Sequence, residues 1–95
     1  MNDRFYTKTI TTAIDTYGEH AQQLMAIEEM SELTKAICKY FRAEKNTEQE
    51  GRAIAQILEE MADVEIMLDQ LKIMFGNPED EKELKIHRLF HRLRG

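Results

Sequence analysis

Two short acidic clusters carry the residue types and the spacing that suit metal-dependent chemistry. They read Glu28-Glu29-Met30-Ser31-Glu32 and Glu59-Glu60-Met61-Ala62-Asp63. Carboxylates three or four residues apart lie on one side of a helix and repel one another, so each cluster costs stability unless a cation lies between its members. Mg²⁺ suits this position because it prefers oxygen ligands and commonly binds carboxylates together with substrate phosphates.

A solvated acidic face is the ordinary interpretation of either cluster taken alone. Two features favour a metal site instead. Glu29 and Glu60 flank apolar stripes rather than lying opposite them. The second cluster also lies between two apolar stripes, where free carboxylates are poorly solvated. We therefore expect the acids to form one site between two neighbouring helices.

Four helices are predicted to position these clusters, and residues 1–95 are predicted to form a single all-α domain. The chain is interrupted at Gly18, at the polar pair Asn46-Thr47 and at Gly76-Asn77-Pro78. Glycine suits a helix C-terminus, Thr47 begins a plausible capping box, and Asn77-Pro78 suits a helix start. The predicted helices run from about Asp3 to Thr16, Glu19 to Ala43, Thr47 to Phe75, and Asn77 onward.

Apolar stripes on the second and third segments predict an oligomer. The second segment has one stripe: Leu24, Ile27, Met30, Leu33, Ile37 and Phe41. The third has two: Ile54, Ile57, Leu58, Met61, Val64, Leu68 and Leu71, and on another side Ala55, Ala62, Ile66 and Ile73. A helix apolar on two sides is covered on two sides, and this one would be about 42 Å long. We expect a four-helix bundle completed by oligomerisation, as a homodimer or tetramer.

The order of the acidic motifs resembles that of the MazG-like, all-α nucleoside triphosphate pyrophosphohydrolases. The family pattern E-E-x-x-E followed by E-x-x-D is matched by Glu28, Glu29, Glu32, Glu60 and Asp63. The flanks are similar too: YGEHAQQLMAIEEMSELTKAICKYFR resembles the first motif helix, and EEMADVEIMLDQL resembles the second. Together these stretches cover a little under half of the chain.

The resemblance implies Mg²⁺-dependent hydrolysis of (deoxy)nucleoside triphosphates to monophosphate and pyrophosphate. It implies that the metal, Mg²⁺ or alternatively Mn²⁺, is bound by Glu29, Glu32, Glu60 and Asp63. Glu28 is left to order a second ion or the attacking water. The metal neutralises triphosphate charge and helps to activate water, with pyrophosphate leaving.

Several residues are candidates for substrate contacts, each with an ordinary alternative. Lys85 and Arg88, from a partner subunit, would touch the phosphates, or they form a basic face of the last helix. Met67 would line a base pocket or lie in the core. Gln22 would reach a base edge or lie on the surface. The remaining bases near the first motif are expected to form a solvated face that pairs with the acids: Lys35, Lys39 and Arg42.

Composition excludes several other classes of function. The net charge of −5 argues against duplex nucleic acid as a partner. No apolar run approaches the roughly 18 residues of a membrane span, and MNDRFYTKTI is unlike a signal peptide, so a cytoplasmic protein is expected. Cys38 is the single cysteine, which leaves no internal disulfide, and we expect it in the core or half-buried. His20, His87 and His91 do not have the spacing of a zinc site.

Two other functions remain open at this point. A phosphoribosyl-ATP pyrophosphohydrolase shares the acidic motifs and the all-α fold. A non-catalytic helical oligomer that keeps the fold is the alternative of a different class. All five motif acids are present, which argues against the second alternative.

Overall fold

The computed structural model describes residues 1–95 and contains four helices and no strand. This confirms the all-α prediction. The helices are α1 (Asp3–Tyr17), α2 (Glu19–Arg42), α3 (Glu48–Phe75) and α4 (Glu79–Arg94). The predicted bounds agree with these to within two residues.

Two glycines end helices as expected, because both adopt a backbone conformation that other residues rarely reach. Gly18 has φ 93° and Gly76 has φ 120°. Each N–H donates to the carbonyl four residues earlier, at 2.8 Å and 2.9 Å respectively. A side chain at either position would strain the backbone, so both turns require glycine.

The starts of α3 and α4 follow the prediction only in part. The Thr47 hydroxyl accepts from the Glu50 N–H at 3.4 Å, but the Glu50 carboxylate accepts from Asn46 N–H at 3.2 Å, so only half of the capping box forms. At α4, the Asn77 side chain accepts from the Glu79 N–H at 3.1 Å. Pro78 therefore occupies the cap position instead of the first turn.

Helices α2 and α3 form an antiparallel pair whose contact, here called the seam, repeats at alternating steps of three and four residues. The α2 side of the seam is rich in small residues and the α3 side in larger ones. The seam comprises buried and half-buried residues: Gln22, Ala26, Glu29, Leu33, Ala36 and Tyr40 on α2, Ala43 directly after it, and Glu50, Ala53, Ile57, Glu60, Val64, Met67, Leu71 and Met74 on α3.

Eight further large apolar residues lie beside the seam. They follow a seam position by one residue, which in two antiparallel helices places them on the same side of the pair. We call this surface the outer face: Ile27, Met30, Ile37 and Phe41 on α2, and Ile54, Leu58, Met61 and Leu68 on α3. All eight are exposed in the single chain. Of the stripe predicted on α2, Leu33 alone packs in the seam.

Helix α1 packs against both α2 and α3 and covers part of the second α3 stripe. Ile10 and Ile14 are buried there. The Tyr6 hydroxyl donates to the Asp69 carboxylate at 2.5 Å. Burial of the phenol, together with this hydrogen bond, raises the pKa of Tyr6 to about 12.

Helix α4 packs against none of the other three helices. Each of its residues is exposed, including an apolar face formed by Ile86, Leu89, Phe90 and Leu93. The radius of gyration is 16.8 Å, whereas a compact domain of this length has about 12 Å. One copy of the chain therefore leaves much of its apolar surface uncovered.

None of the four helices combines the length and the apolar character needed to cross a bilayer.

Candidate functional site

Three carboxylates from the two acidic clusters meet across the seam. Oxygen atoms of Glu29, Glu60 and Asp63 all lie within 4.8 Å of one another. Glu29 and Glu60 are half-buried, and Asp63 is exposed. No lysine, arginine or histidine nitrogen lies within 4.0 Å of these carboxylates. The oxygens have the chemistry and the spacing to hold a divalent cation.

The seam explains why these acids converge. Glu29 and Glu60 occupy seam positions. The seam residues one turn before and one turn after each of them are apolar or small. Asp63 precedes the seam residue Val64 and therefore points to the side opposite the outer face. The Gln56 side chain donates to Glu60 at 2.7 Å, which orients that carboxylate.

The surroundings of the Glu29 carboxyl alter its pKa. Its burial raises its pKa above the ordinary value, and the negative charges of Asp63, Glu60 and Glu28 raise it further. The ionised form is thus disfavoured in the folded protein. A bound cation would reverse the effect by favouring the ionised form.

Replacing Glu29 by Gln is expected to stabilise the metal-free protein at neutral pH. The folded state binds the Glu29 proton more tightly than the unfolded state, so stability falls as pH rises from the ordinary pKa of glutamate through the raised one. Glu29→Gln removes this loss. At neutral pH in the absence of metal, Glu29→Gln is therefore expected to have a higher melting temperature than wild type.

Thermal unfolding in a chelator at several pH values measures this effect, with Glu59→Gln as the matched control. Glu59 is an exposed neighbour of Glu60 outside the three-carboxylate group, so its removal changes the net charge equally. A lower melting temperature for Glu29→Gln than for wild type would contradict the prediction and give Glu29 a structural role.

The remaining motif acids lie outside the group. Glu32 does not join the other three proposed metal ligands. Its carboxylate pairs with Lys35 at 3.4 Å, as the solvated-face interpretation predicted for that lysine. Glu28 is exposed on α2. The structure thus brings together three of the four carboxylates that the family resemblance assigns to the metal.

Two candidates for substrate contacts are buried in the seam. Met67 is 5% exposed, which agrees with its interpretation as a core residue. Gln22 is 7% exposed, so its expected surface position is wrong. Its side chain donates to Gln70 at 2.7 Å. Sequence reasoning missed Gln70, because its pairing with Gln22 depends on the register of α2 against α3.

Lys85 and Arg88 lie on α4, away from the acids of the same chain. Because α4 packs against no other helix, these side chains do not approach the acids of the same chain. Cys38 is exposed, so the expectation of a core or half-buried cysteine is wrong for the single chain. It lies two residues from the seam on the solvent side of α2.

A polar cleft lies on the same side of the α2–α3 pair as Asp63. It has a volume of about 320 Å³ and is lined by Lys39, Arg42, Gln49, Arg52 and Gln56. Lys39 and Arg42 form no ion pair within 4.0 Å. The expected pairing of these two bases with the motif acids is therefore wrong.

The fold and the site define an all-helical protein with three carboxylates clustered between antiparallel helices. Comparison of the chain with protein-family models, curated proteins and solved structures gives no match in any of the three. Its functional assignment rests on the residues of the site.

Proposed function

We propose that this protein is a divalent-cation-dependent nucleoside triphosphate pyrophosphohydrolase of the MazG-like type. The carrying observation is the convergence of Glu29, Glu60 and Asp63 oxygens within 4.8 Å without a basic partner. Such an arrangement is costly unless a cation compensates it. Oxygen-only ligands suit Mg²⁺ or Mn²⁺, the ions that accompany phosphate substrates.

Each residue of the site has a defined part in the proposed reaction. Glu29, Glu60 and Asp63 hold the metal, and Gln56 orients Glu60. Glu32 lies one helical turn from Glu29, so it can join the site if it releases Lys35. When bound, Mg²⁺ neutralises triphosphate charge and lowers the pKa of a coordinated water. Glu28 is left to order the attacking water or a second ion.

The proposed cleavage lies between the α and β phosphates. The water oxygen forms a bond to the α phosphorus, and the bond from that phosphorus to the bridging oxygen breaks. The electron pair of the broken bond leaves with pyrophosphate. The water proton is released to solvent or to a carboxylate of the site.

Product analysis across a nucleotide panel tests the reaction type. Ribo- and deoxyribonucleoside triphosphates and phosphoribosyl-ATP are incubated with and without Mg²⁺, and products are separated by chromatography. Monophosphate and pyrophosphate are expected in equal amounts, and only with the metal. Diphosphate with orthophosphate would refute the cleavage site, and no product from any substrate would favour the non-catalytic oligomer. Exclusive turnover of phosphoribosyl-ATP would identify the other pyrophosphohydrolase.

We also infer that additional copies of the chain complete a MazG-like bundle. The single chain has an accessible surface of 7746 Å², whereas a compact monomer of 11.2 kDa exposes about 5700 Å². The excess of about 2000 Å² exceeds the roughly 800 Å² that each partner buries in a standard interface. The outer face contributes eight large apolar side chains to this surface, each between 38% and 74% exposed.

A second copy would also bring α4 bases to the acidic site. Lys85 and Arg88 form no ion pair in the single chain. In an assembly, the apolar face of α4 would be covered while these bases approach the phosphates of a nucleotide bound to the neighbouring copy. This role for Lys85 and Arg88 depends on self-association.

A further inference from the structure

Gln22 and Gln70 are the only polar residues that the chain buries, and they pair with each other. They are 7% and 3% exposed, and the Gln22 side-chain amide donates to the Gln70 carbonyl oxygen at 2.7 Å. The Gln70 amide donates to the Met67 sulfur at 3.8 Å, which is a weak acceptor. Because polar groups removed from water require hydrogen-bond partners, each of these two side chains depends on the other.

The amide pair and the carboxylates of the acidic site repeat one geometry, two turns apart. Gln22 precedes Glu29 by seven residues on α2, and Gln70 follows Asp63 by seven residues on α3. Seven residues are close to two full turns and span about 10.5 Å, so the two members on each helix share a face. Because α2 and α3 are antiparallel, the register that pairs the two glutamines also places Glu29 opposite Asp63.

Apolar packing by itself selects this register only weakly. The α2 side of the seam is rich in alanine, at Ala26, Ala36 and Ala43, and apolar residues occupy most layers of the α3 side. A shift by one turn therefore still places apolar side chains against one another. The three carboxylates of the acidic site oppose the observed register, because they repel one another where they meet. The register thus needs a further contact that favours it.

A shift of α2 against α3 by one turn breaks the amide pair. The Gln22 amide would then face Met67 or Met74, and both glutamines would lose a hydrogen bond away from water, which is costly. The same shift moves Asp63 about 5.4 Å along the pair relative to Glu29, too far for both carboxylates to bind one small ion. A single buried polar contact can fix the register of two helices in this way.

We propose that the buried Gln22–Gln70 pair sets the register of α2 against α3 and so holds the three carboxylates together before a cation binds. This inference rests on the proposed function, because it takes Glu29, Glu60 and Asp63 as the metal site. The two glutamines are positioning residues, since they act on the metal through the helices. They oppose the repulsion among the carboxylates, so less of the binding free energy is used to rearrange the site.

Calorimetric titration of the full chain with Mn²⁺ alone tests this role. Gln22→Met with Gln70→Met keeps the side-chain shape and removes both polar groups, so this double variant is expected to melt in chelator at or above the wild-type temperature. Its Mn²⁺ Kd is expected to rise about 10-fold. Gln70→Met alone leaves the Gln22 amide unpaired and is expected to lower the melting temperature.

Leu71→Met is the matched control for a substitution between the helices. Leu71 is a half-buried seam residue next to Gln70, and methionine conserves its volume, so its Mn²⁺ Kd is expected to stay within about 2-fold of wild type. An increase as large as that of the double variant would contradict a specific role for the amide pair.

Spin-label distances measure the register directly. One label is attached to the exposed Cys38 and one to Lys72→Cys, and labelled chains are diluted with unlabelled protein so that only distances within one chain contribute. A 10-fold rise in Kd corresponds to the competent register in about one metal-free molecule in ten. The metal-free double Met variant is therefore expected to show mainly a second distance, from helices displaced by about one turn, and saturating Mg²⁺ is expected to restore the wild-type distance.

The two measurements separate failure of this inference from failure of the proposed function. Wild-type Kd and a single wild-type distance in the double Met variant would overturn the register role and leave the metal site standing. Loss of folding, or a lower melting temperature with unchanged Kd, would also overturn it and assign Gln22 and Gln70 to stability alone. A wild type that binds no Mn²⁺ would refute the proposed metal site, while the label distances would still establish or overturn the register role.

Discussion

Asp63→Asn is expected to reduce nucleotide hydrolysis by about 10²-fold or more, with little change in helical content. Asp63 is exposed at the edge of the seam, so the isosteric amide can be accommodated. The activity is lost because metal binding weakens. Asparagine lacks the negative charge of aspartate and has one side-chain oxygen instead of two. A 10²-fold loss corresponds to about 2.7 kcal/mol of transition-state stabilisation.

A second substitution in the same group is expected to add little. Glu29, Glu60 and Asp63 hold one ion together, so losing a single ligand already removes most of the site. Groups that act as a unit are strongly non-additive. The hydrolysis rate of the double variant Glu60→Gln with Asp63→Asn is therefore expected to lie within about 10-fold of the rate of the less active single variant. Steady-state rates at saturating Mg²⁺ measure this difference.

Glu59→Gln serves as the control for charge. It lies beside Glu60 but outside the group of three, and its rate is expected to stay within about 2-fold of wild type. Undiminished turnover in both Glu60→Gln and Asp63→Asn would eliminate this site as the catalytic one. Glu32→Gln reports on the fourth proposed ligand: a loss as large as that of Asp63→Asn means that Glu32 exchanges Lys35 for the metal.

Helix positions could be predicted from sequence because local chemistry determines them. Gly18 and Gly76 adopt positive φ, and the predicted helix bounds followed from these residues and from hydrophobic spacing. The choice of which face packs inside the chain could not be predicted in the same way. Apolar spacing predicts that Ile27 and Leu58 are covered, but it does not predict whether another helix or another copy covers them.

The seam carried a weaker signal that sequence reasoning passed over. Ala26, Ala36 and Ala43 recur at steps compatible with close helix contact, yet their small side chains contribute little to a hydrophobic stripe. The acidic group was easier to predict, since Glu29, Glu60 and Asp63 belong to recognisable motifs. The polar cleft was not predicted, because Arg42 and Arg52 meet only through the register of α2 and α3.

Ile27→Glu and Leu58→Glu on the outer face are expected to convert the proposed oligomer to monomer at micromolar concentration. Both side chains are 60% exposed in the single chain, so an isolated monomer would tolerate glutamate at either position. Covering such a residue contributes about 1.5–3 kcal/mol. In a two-fold symmetric interface each substitution occurs twice, which gives a loss of about 3–6 kcal/mol and a Kd increase of about 10²–10⁴-fold.

Sedimentation velocity across a concentration series measures the change, and Met25→Glu is the matched control. Met25 is also exposed on α2, at 39%, but it precedes the seam residue Ala26 and so lies on the opposite side from the outer face. It is expected to leave the assembly intact. A monomeric wild type would refute self-association, while dissociation by Met25→Glu alone would move the interface to the side that carries Asp63. If Ile27→Glu dissociates the protein and also abolishes hydrolysis while Mn²⁺ still binds, the second copy supplies groups that the reaction requires.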